Sequence, residues 1–204
     1  MATTAAILTH ADLHRLRSDP RDRRRFELVG GRLIVVAAPP PWHQRFAERI
    51  GYQLTTQAER QGVPLKLYHA PTALYLDPAP GGDEVQPDLL VVLPDDPVVT
   101  NYDPESGWAL VGTPWMVVEI GSRSTWERDL GDKKRAYARA GVGLYLFVDL
   151  KDERVVAFGD PAPGEERYRT DGVEHDRAAR VPWMTGHLDL STLPWDEVPP
   201  GVYD

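Results

Sequence analysis

The sequence of 204 residues contains no cysteine. Disulfides and thiolate metal sites are therefore excluded, and any metal must be held by oxygen or nitrogen ligands. The sequence also lacks an apolar run approaching the roughly 20 residues needed to span a bilayer, and it lacks a basic start leading into such a run. These absences predict a cytoplasmic protein that does not enter a membrane.

A positive net charge is missing as well, since the formal charge is -8. This charge argues against a protein that coats nucleic acid, because phosphate binding is driven by clustered lysine and arginine. Any contact with DNA must therefore be local, or the basic clusters are simply solvated charge. The two clusters are Arg21, Arg23, Arg24 and Arg25, followed by Lys133, Lys134, Arg135 and Arg139.

The sequence does contain enough apolar material for a core, with 42% hydrophobic residues and six tryptophans. Its length suits one domain, which we predict to span residues 1–204. The tail from about residue 193 contains three prolines and is expected to be irregular.

The first third of the chain has clear local signals. Thr9 followed by Asp12 predicts a capped helix that continues to Arg17. Two β-rich runs surround Gly30-Gly31 and predict a hairpin over residues 26–36. Apolar residues then recur at every fourth position from Trp42 towards Gly62, which predicts a second, amphipathic helix.

The centre of the chain contains continuous apolar runs typical of strands buried on both faces, at residues 89–93, 115–118 and 144–148. A helix is predicted from about Thr125 to Ala140, so the last two runs form a strand, helix and strand crossover. The polar stretch 94–112 between the first two runs is predicted to be a loop. Shorter strands are expected at residues 65–69, 73–76, 155–158 and 167–170.

Two acids stand at the ends of the buried runs, Asp88 and Glu119. A carboxylate beside a buried strand loses solvation and needs a compensating cation, donor or proton. If the two strands are neighbours, both acids could hold one hard cation such as Mg²⁺. Glu119 shares its strand face with Gly121, which predicts room for an ion or substrate. Simple capping or surface roles remain the alternative.

The following helix places Asp129, Lys133 and Tyr137 along one face. Lys133 and Lys134 flank that line almost symmetrically, so periodicity does not choose between them. A solvated pair of Asp129 and Lys133 is an equally good interpretation.

Several strings resemble one known family, in the order residues 86–92 (QPDLLVV), 117–122 (VVEIGS), 129–133 (DLGDK) and 137–142 (YARAGV). They resemble the Uma-two family of putative restriction endonucleases, and the N-terminal FELVGGRL string agrees with that family's hairpin. The resemblance implies an α/β (α+β) fold of the restriction-endonuclease-like PD-(D/E)XK type. Such a fold has a mixed central sheet flanked by helices, here with an N-terminal β-hairpin.

By the same resemblance, Asp88 and Glu119 match the family's two acids and Lys133 matches its helix lysine. Gly121 departs from the usual E-x-K pattern, so the amine must come from Lys133. Trp115, Leu144 and Leu146 also depart from the family's usual residues, which bears on substrate choice or dimer packing.

The implied reaction is hydrolysis of DNA phosphodiester bonds with Mg²⁺ or Mn²⁺ held by the two acids and the Ile120 carbonyl. Lys133 would position water or stabilise charge, with its pKa depressed by burial and a nearby cation. Glu27 is either a third acid or a polar residue on the hairpin's outer face, and His43 either approaches a phosphate or caps and packs its helix. Further substrate contacts are assigned to Ser122, Lys134 and Arg139, and a homodimer is expected because two strands must be cut.

Besides the nuclease, two other classes of function stay open. One is a non-catalytic module of the same fold that binds DNA or a protein, and the other is a metal-dependent hydrolase with a smaller substrate. The acidic net charge favours the non-catalytic module and is tolerated by the hydrolase with a smaller substrate.

Overall fold

The computed structural model describes residues 8–19, 21–103, 107–121, 125–184 and 186–201. All α-helices of the described residues lie in roughly the first two thirds of the chain, separated by groups of strands, and the last third is almost entirely β. The helices are α1 (His10–Arg17), α2 (Pro41–Gln61), α3 (Trp126–Arg128) and α4 (Lys134–Ala140), with a π-helical turn (Asp129–Lys133) between the last two. The strands are β1 (Arg25–Val29), β2 (Arg32–Val36), β3 (Lys66–His69), β4 (Leu74–Tyr75), β5 (Glu84–Val85), β6 (Leu89–Val92), β7 (Val98–Asp103), β8 (Gly107–Gly112), β9 (Met116–Ile120), β10 (Leu144–Asp149), β11 (Arg154–Ala162), β12 (Arg167–Asp176), β13 (Arg180–Trp183) and β14 (Gly186–Asp189).

The local signals of the N-terminal region are confirmed. Thr9 and Asp12 form a reciprocal capping box at the start of α1. Strands β1 and β2 pair around Gly30 and Gly31, whose φ angles of 57° and 72° suit the left-handed residues of a tight hairpin turn. Gly62 ends α2 in the left-handed conformation.

Two mixed sheets carry most of the chain. The first has the order β2-β1-β5-β4-β8-β7 and the second the order β12-β11-β10-β9-β6-β3. In the second sheet β9 and β10 are parallel and joined by the segment that contains α3 and α4, as the crossover prediction requires. The predicted α+β architecture, with mixed sheets between helices, is therefore confirmed.

The second sheet is covered on both faces, which explains the continuous apolar runs. Phe46, Ile50 and Leu54 of α2 pack on one face, and Ala136 and Tyr137 of α4 pack on the other. Each fully buried large apolar side chain contributes roughly 1.5–3 kcal/mol to the stability of this layered core.

The predicted loop over residues 94–112 is wrong, because most of it forms the antiparallel hairpin β7-β8 at the edge of the first sheet. The segment looks polar because an edge hairpin leaves much of its surface in solvent, as the exposed Val99 and Trp108 illustrate. The C-terminal strands are also longer than predicted, and the β13-β14 hairpin has no counterpart in the prediction.

Beyond residue 193 the described chain contains a single 3₁₀ turn (Trp195–Glu197), with Trp195 buried against Phe46. No helix among the described residues is long and apolar enough to cross a membrane.

Candidate functional site

The two strand-end acids lie beside one another because β6 and β9 are antiparallel neighbours. Leu89 pairs with Val118. Asp88 precedes Leu89 and Glu119 follows Val118, so in this antiparallel pair the two acids lie at the same end of the two strands. The backbone N–H of Ile120 donates to Asp88 Oδ2 at 2.9 Å. The condition set by the sequence, that the two strands be neighbours, is therefore met.

Asp88 is 4% exposed and surrounded by donors. Arg25 Nη1 donates to Oδ1 at 2.8 Å, and His43 Nε2 lies 3.3 Å from Oδ2. Burial alone would favour the neutral acid, but His43 and Arg25 hold the pKa of Asp88 well below its usual range. Asp88 is therefore ionised and fully engaged with protein partners.

Glu119 belongs to a second, contiguous group of buried charges. Lys133 Nζ lies 2.5 Å from Glu119 Oε1 and 2.9 Å from Glu27 Oε1, and Tyr137 Oη donates to Glu119 Oε1 at 2.5 Å. Lys133 is 2% exposed and Glu27 is 1% exposed. Lys133 thus joins the acid of β9 to the acid of the N-terminal hairpin, and the outer-face interpretation of Glu27 is wrong.

The charge balance of this group controls its ionisation. Burial, opposed by Lys133 and reinforced by three neighbouring acids, raises the pKa of Glu119 to about 8. Burial also raises the pKa of Asp129, a neighbour of Lys133 in this group, to about 6. Burial acts in the opposite direction on Lys133, but Glu119 and Glu27 raise its pKa above the usual range. The expected depression of the Lys133 pKa is therefore wrong, because two carboxylates outweigh desolvation.

The helix after β9 decides which lysine reaches the acids. The π-helical turn ends at Lys133, which points inward, whereas Lys134 contacts Asp171 at 3.0 Å and lies over the Phe158 ring. Asp129 is also buried, so the solvated-pair interpretation of Asp129 and Lys133 is wrong. Sequence periodicity assumes 3.6 residues per turn, and a π turn changes that count locally.

His43 lies at the start of α2 with 3% exposure. Its Nε2 lies 2.9 Å from the Ile120 carbonyl oxygen, to which it must donate, since a carbonyl only accepts. The carbonyl expected to bind metal is thus engaged by His43, and His43 joins α2 to the end of β9.

Gly121 does not leave the space that its strand position predicts. A Cβ at this position would come within 2.5 Å of Phe147 Cζ and 3.2 Å of the Val148 carbonyl oxygen. The face beside Glu119 is therefore filled by the Phe147 ring, and a lysine at position 121 would not fit without repacking.

Two of the three expected substrate contacts lie away from the acids. Lys134 pairs with Asp171, and Arg139 pairs with Asp83 and Glu166. Ser122 lies outside the described residues.

Arg25 was missed at the sequence level, where it was one of a run of four basic residues read as solvated or as a local DNA contact. It is the first residue of β1, and its Nη1 contacts both Asp88 and the Gln86 carbonyl, the latter at 3.2 Å. Strand alternation was the available signal, because Arg25 and Glu27 are two residues apart and share a strand face.

A cavity of about 420 Å³ opens at Asp88, and it offers access to this end of the sheet. Glu119 and Lys133 are not among its described lining residues and lie within the protein. The lining residues are Pro39, His43, Gln44, Ala47, Glu48, His69, Ala70 and Asp88.

The carboxylates of Asp88 and its neighbours are ligands of the kind that a hard divalent cation prefers. Glu27 Oε2 is buried with no hydrogen-bond partner among the described residues, and the raised pKa of Glu119 reflects an excess of buried negative charge. Carboxylate oxygens are the ligands that Mg²⁺ and Mn²⁺ prefer. No three acidic or histidine side chains in the described ranges are already arranged as a metal site. The residues therefore fit a cation chemically. In this structure the positive charges beside the carboxylates are those of Arg25 at Asp88 and of Lys133 at Glu119 and Glu27.

Comparison with known proteins gives the family. The family model Uma2, described as "Putative restriction endonuclease", matches residues 10–190. A solved structure of a putative nuclease belonging to DUF820, from Anabaena variabilis ATCC 29413, is similar in fold, with a TM-score of 0.67 and 15% identity. That match covers 92% of this chain and 98% of the other. No curated protein matches the sequence. Since the family model spans most of the chain, this protein belongs to the Uma2 family, and its fold is restriction-endonuclease-like.

Proposed function

We propose that this protein is a divalent-metal-dependent endonuclease that hydrolyses DNA phosphodiester bonds. The observation that carries the proposal is the position of Lys133, buried between Glu119 and Glu27 next to the Asp88 end of the sheet. Such burial of several ionisable groups side by side is costly for stability and is typical of functional sites. Family membership supports the same activity.

In this proposal Asp88 and Glu119 hold Mg²⁺ or Mn²⁺, with Glu27 as the adjoining third carboxylate. A bound cation would polarise the scissile phosphate and promote ionisation of the attacking water. Lys133 is protonated, so its role is to orient the water and to neutralise charge that develops on the phosphate. Asp88 accepts a cation only when Arg25 releases Oδ1, so Arg25 is then free to contact phosphate.

The DNA would approach across α2. A second cavity of about 420 Å³ shares Glu48 with the cavity at Asp88, so the two adjoin. Its lining includes Arg45, Arg49 and Tyr52, which supply cationic and aromatic contacts for a strand. The same lining contains Glu48 and Glu197, and Arg45 pairs with Glu197 at 3.1 Å, so this surface is balanced in charge. Because this cavity adjoins the one at Asp88, we propose Arg45 and Arg49 as the phosphate contacts in place of Lys134 and Arg139, with a phosphate displacing Glu197 from Arg45.

The deciding experiment is cleavage of supercoiled plasmid and of single-stranded DNA with Mg²⁺, Mn²⁺ or EDTA. Asp88→Asn and Glu119→Gln are the informative variants, because each keeps the side-chain shape and removes the carboxylate. Lys134→Ala is the matched control for Lys133→Ala, since the two lysines are adjacent and only Lys133 contacts the acids.

We expect cleavage by the wild type and by Lys134→Ala with either metal, and a loss of at least about 100-fold in the three site variants. Circular dichroism of each variant identifies loss of fold. A folded wild type that cuts neither substrate with either metal would reject the nuclease proposal, as would site variants that cut at the wild-type rate.

A second candidate is a non-catalytic module that keeps the nuclease fold and binds DNA or a protein. The Arg25–Asp88 contact favours it, because a carboxylate permanently paired with arginine needs no metal. Binding of DNA that is equally strong in EDTA and in Mn²⁺, without cleavage and without Mn²⁺ uptake in calorimetry, would select this alternative.

We further propose that the enzyme acts as a cytoplasmic homodimer, because cutting two strands suits two symmetry-related sites. Strand β2 supports such pairing, since it is an edge strand with Leu33 and Val35 exposed. Light scattering after size-exclusion chromatography should give twice the chain mass of 22.8 kDa, and Val35→Lys should reduce it to the single-chain value.

A further inference from the structure

A separate cavity of about 370 Å³ lies near the site but is lined by a different set of residues from the one at Asp88. Two aromatic side chains contribute to it, Tyr68 and Trp108, and Trp108 is 70% exposed. Ala73 and Leu110 add apolar surface, so a flat, partly apolar ligand would be well covered.

Two lining residues bring buried polar atoms with no hydrogen-bond partner among the described residues. One is the acceptor Gln86 Oε1, on a side chain that is 3% exposed. The other is the donor Arg17 Nε. A buried unpaired polar atom costs roughly 1–3 kcal/mol, so an unpaired acceptor and an unpaired donor on two residues of one cavity wall favour a ligand that can reach both once it enters.

The positive charge that Arg17 brings to this cavity already has a partner in the protein. Arg17 Nη1 donates to the buried Glu84 carboxylate and Nη2 donates to the Phe26 carbonyl, so the charge of Arg17 is already balanced, and Nε is left as a buried donor. A phosphate or carboxylate would bring a second negative charge beside Glu84, whereas a neutral heterocycle that carries both acceptors and donors matches Nε and the Gln86 amide oxygen without adding charge.

The cavity adjoins the Asp88 site through the backbone. Gln86 lies two residues before Asp88, and its N–H donates to Glu27 Oε1 at 2.7 Å. Along the other wall, Ala70 lines the cavity at Asp88 and Pro71 lines this one. Neighbouring residues therefore line the two cavities along both walls, so the cavities adjoin.

We propose that this cavity binds a nucleobase of single-stranded DNA, turned out of its stack, while the adjoining phosphate lies at Asp88. Trp108 or Tyr68 stacks on the base, and Gln86 Oε1 and Arg17 Nε pair with its polar edge. The inference rests on the proposed function for its choice of nucleic acid, but base binding does not require cleavage.

The test is fluorescence anisotropy with a labelled single-stranded oligonucleotide and a fully abasic oligonucleotide of the same length, both in EDTA so that neither is cut. Variants are Trp108→Ala and Gln86→Leu, which leaves the backbone contacts of Gln86 unchanged. Trp126→Ala is the matched control, because Trp126 is an exposed aromatic residue (38%) that lies outside this cavity. A deoxynucleoside monophosphate serves as competitor.

We expect the wild type to prefer the base-bearing strand by about 10-fold, and Trp108→Ala and Gln86→Leu to lose most of that preference. Trp126→Ala should keep it. Equal binding of the two strands by the wild type, or an equal loss in Trp126→Ala and Trp108→Ala, would overturn the proposal. A free mononucleotide that binds as tightly as the strand would also overturn it. If the protein prefers the base-bearing strand but cuts no DNA, the base-binding cavity is upheld and only the proposed hydrolysis is rejected. If it cuts DNA without any preference for the base-bearing strand, the hydrolysis is upheld and the base-binding cavity is rejected.

Discussion

Arg25 Nη1 lies 2.8 Å from Asp88 Oδ1, so a buried guanidinium occupies the oxygen that a metal would need. The Arg25 side chain is 12% exposed and also contacts the Gln86 carbonyl. This contact explains how a buried, ionised aspartate is stable without a metal. It also means that metal binding and the ion pair compete.

Replacement of Arg25 by glutamine tests that competition. Because the change leaves a buried carboxylate without its cation, we expect the free energy of unfolding in EDTA to fall by roughly 3–5 kcal/mol. Mn²⁺ should then raise the melting temperature more in the variant than in the wild type, because Oδ1 is no longer shared. Thermal denaturation with and without Mn²⁺ measures both effects.

Arg24→Gln is the control for this experiment. Its side chain is 59% exposed and pairs with Asp22 at the surface. We expect its melting temperature and its response to Mn²⁺ to match the wild type. If Arg25→Gln responds to Mn²⁺ no more than Arg24→Gln does, Arg25 and a metal do not compete for Asp88.

The contrast between adjacent lysines gives a second prediction. Lys133→Met leaves Glu27 and Glu119 buried without their shared cation, so we expect a loss of roughly 3–5 kcal/mol. Lys134→Met removes only a partly exposed pair with Asp171 and should cost less than about 1 kcal/mol. Urea denaturation at neutral pH provides the comparison.

A double variant shows whether the Lys133 loss is electrostatic. Glu27→Gln combined with Lys133→Met removes the buried carboxylate that is left without its cation, so part of the stability should return. Strict additivity of the two single changes would indicate that Lys133 and Glu27 do not interact in the folded protein.

The raised pKa of Glu119 predicts how stability depends on pH. The unfolded chain loses this proton near 4.5, whereas the folded protein keeps it up to about 8. The stabilisation that Glu119 contributes is therefore fully present below about pH 4.5, and it is lost progressively as the pH rises to about 8. Asp88, with its lowered pKa, acts in the opposite sense and contributes stability that is lost only in acid, below its ordinary pKa of 3.8.

Glu119→Gln should therefore flatten the decline of stability between pH 4.5 and 8, and leave the acid limb in place. Denaturation midpoints measured across that range, with the exposed Glu127→Gln as control, test this. A decline of the same slope in Glu119→Gln and in the wild type would show that another group causes it.

The packing of Gly121 predicts that the usual nuclease lysine position is closed in this protein. Gly121→Ala brings a methyl group against the buried Phe147 ring, and we expect a loss of about 1–3 kcal/mol. Phe147→Leu combined with Gly121→Ala should recover part of that loss. In the cleavage assay, Gly121→Lys should not restore activity to Lys133→Ala. Restoration would mean that the ring moves aside and that both lysine positions are usable.

Much of the fold follows from local signals in the sequence. The Gly30-Gly31 turn, the capping box at Thr9 and the apolar periodicity of α2 each depend on neighbours in the chain, so they are predictable. The β7-β8 hairpin was missed because an edge pair carries a weak apolar pattern, and its pairing partner β4 lies well before it in the chain.

The residues of the site likewise divide into those predicted from the sequence and those that were not. Asp88, Glu119 and Lys133 were predicted, from strand ends and from family resemblance, and the structure brings them together. Gly121 was read as open space because alternation tells which face a residue occupies but not what packs there. Arg25 was grouped with surface charge because its partner Asp88 lies 63 positions further along the chain.

By itself, the amino-acid sequence determined the local elements, the buried strands and the two acids at their ends, since these depend on short-range periodicity and on the cost of burying charge. Periodicity left Lys133 and Lys134 equal and the family resemblance chose Lys133, but only the tertiary structure shows that Lys133 contacts Glu119 and that Asp88 is paired with Arg25. The physical reason is that a π-helical turn and a contact between distant strands set these positions, and neither leaves a repeating pattern in the sequence.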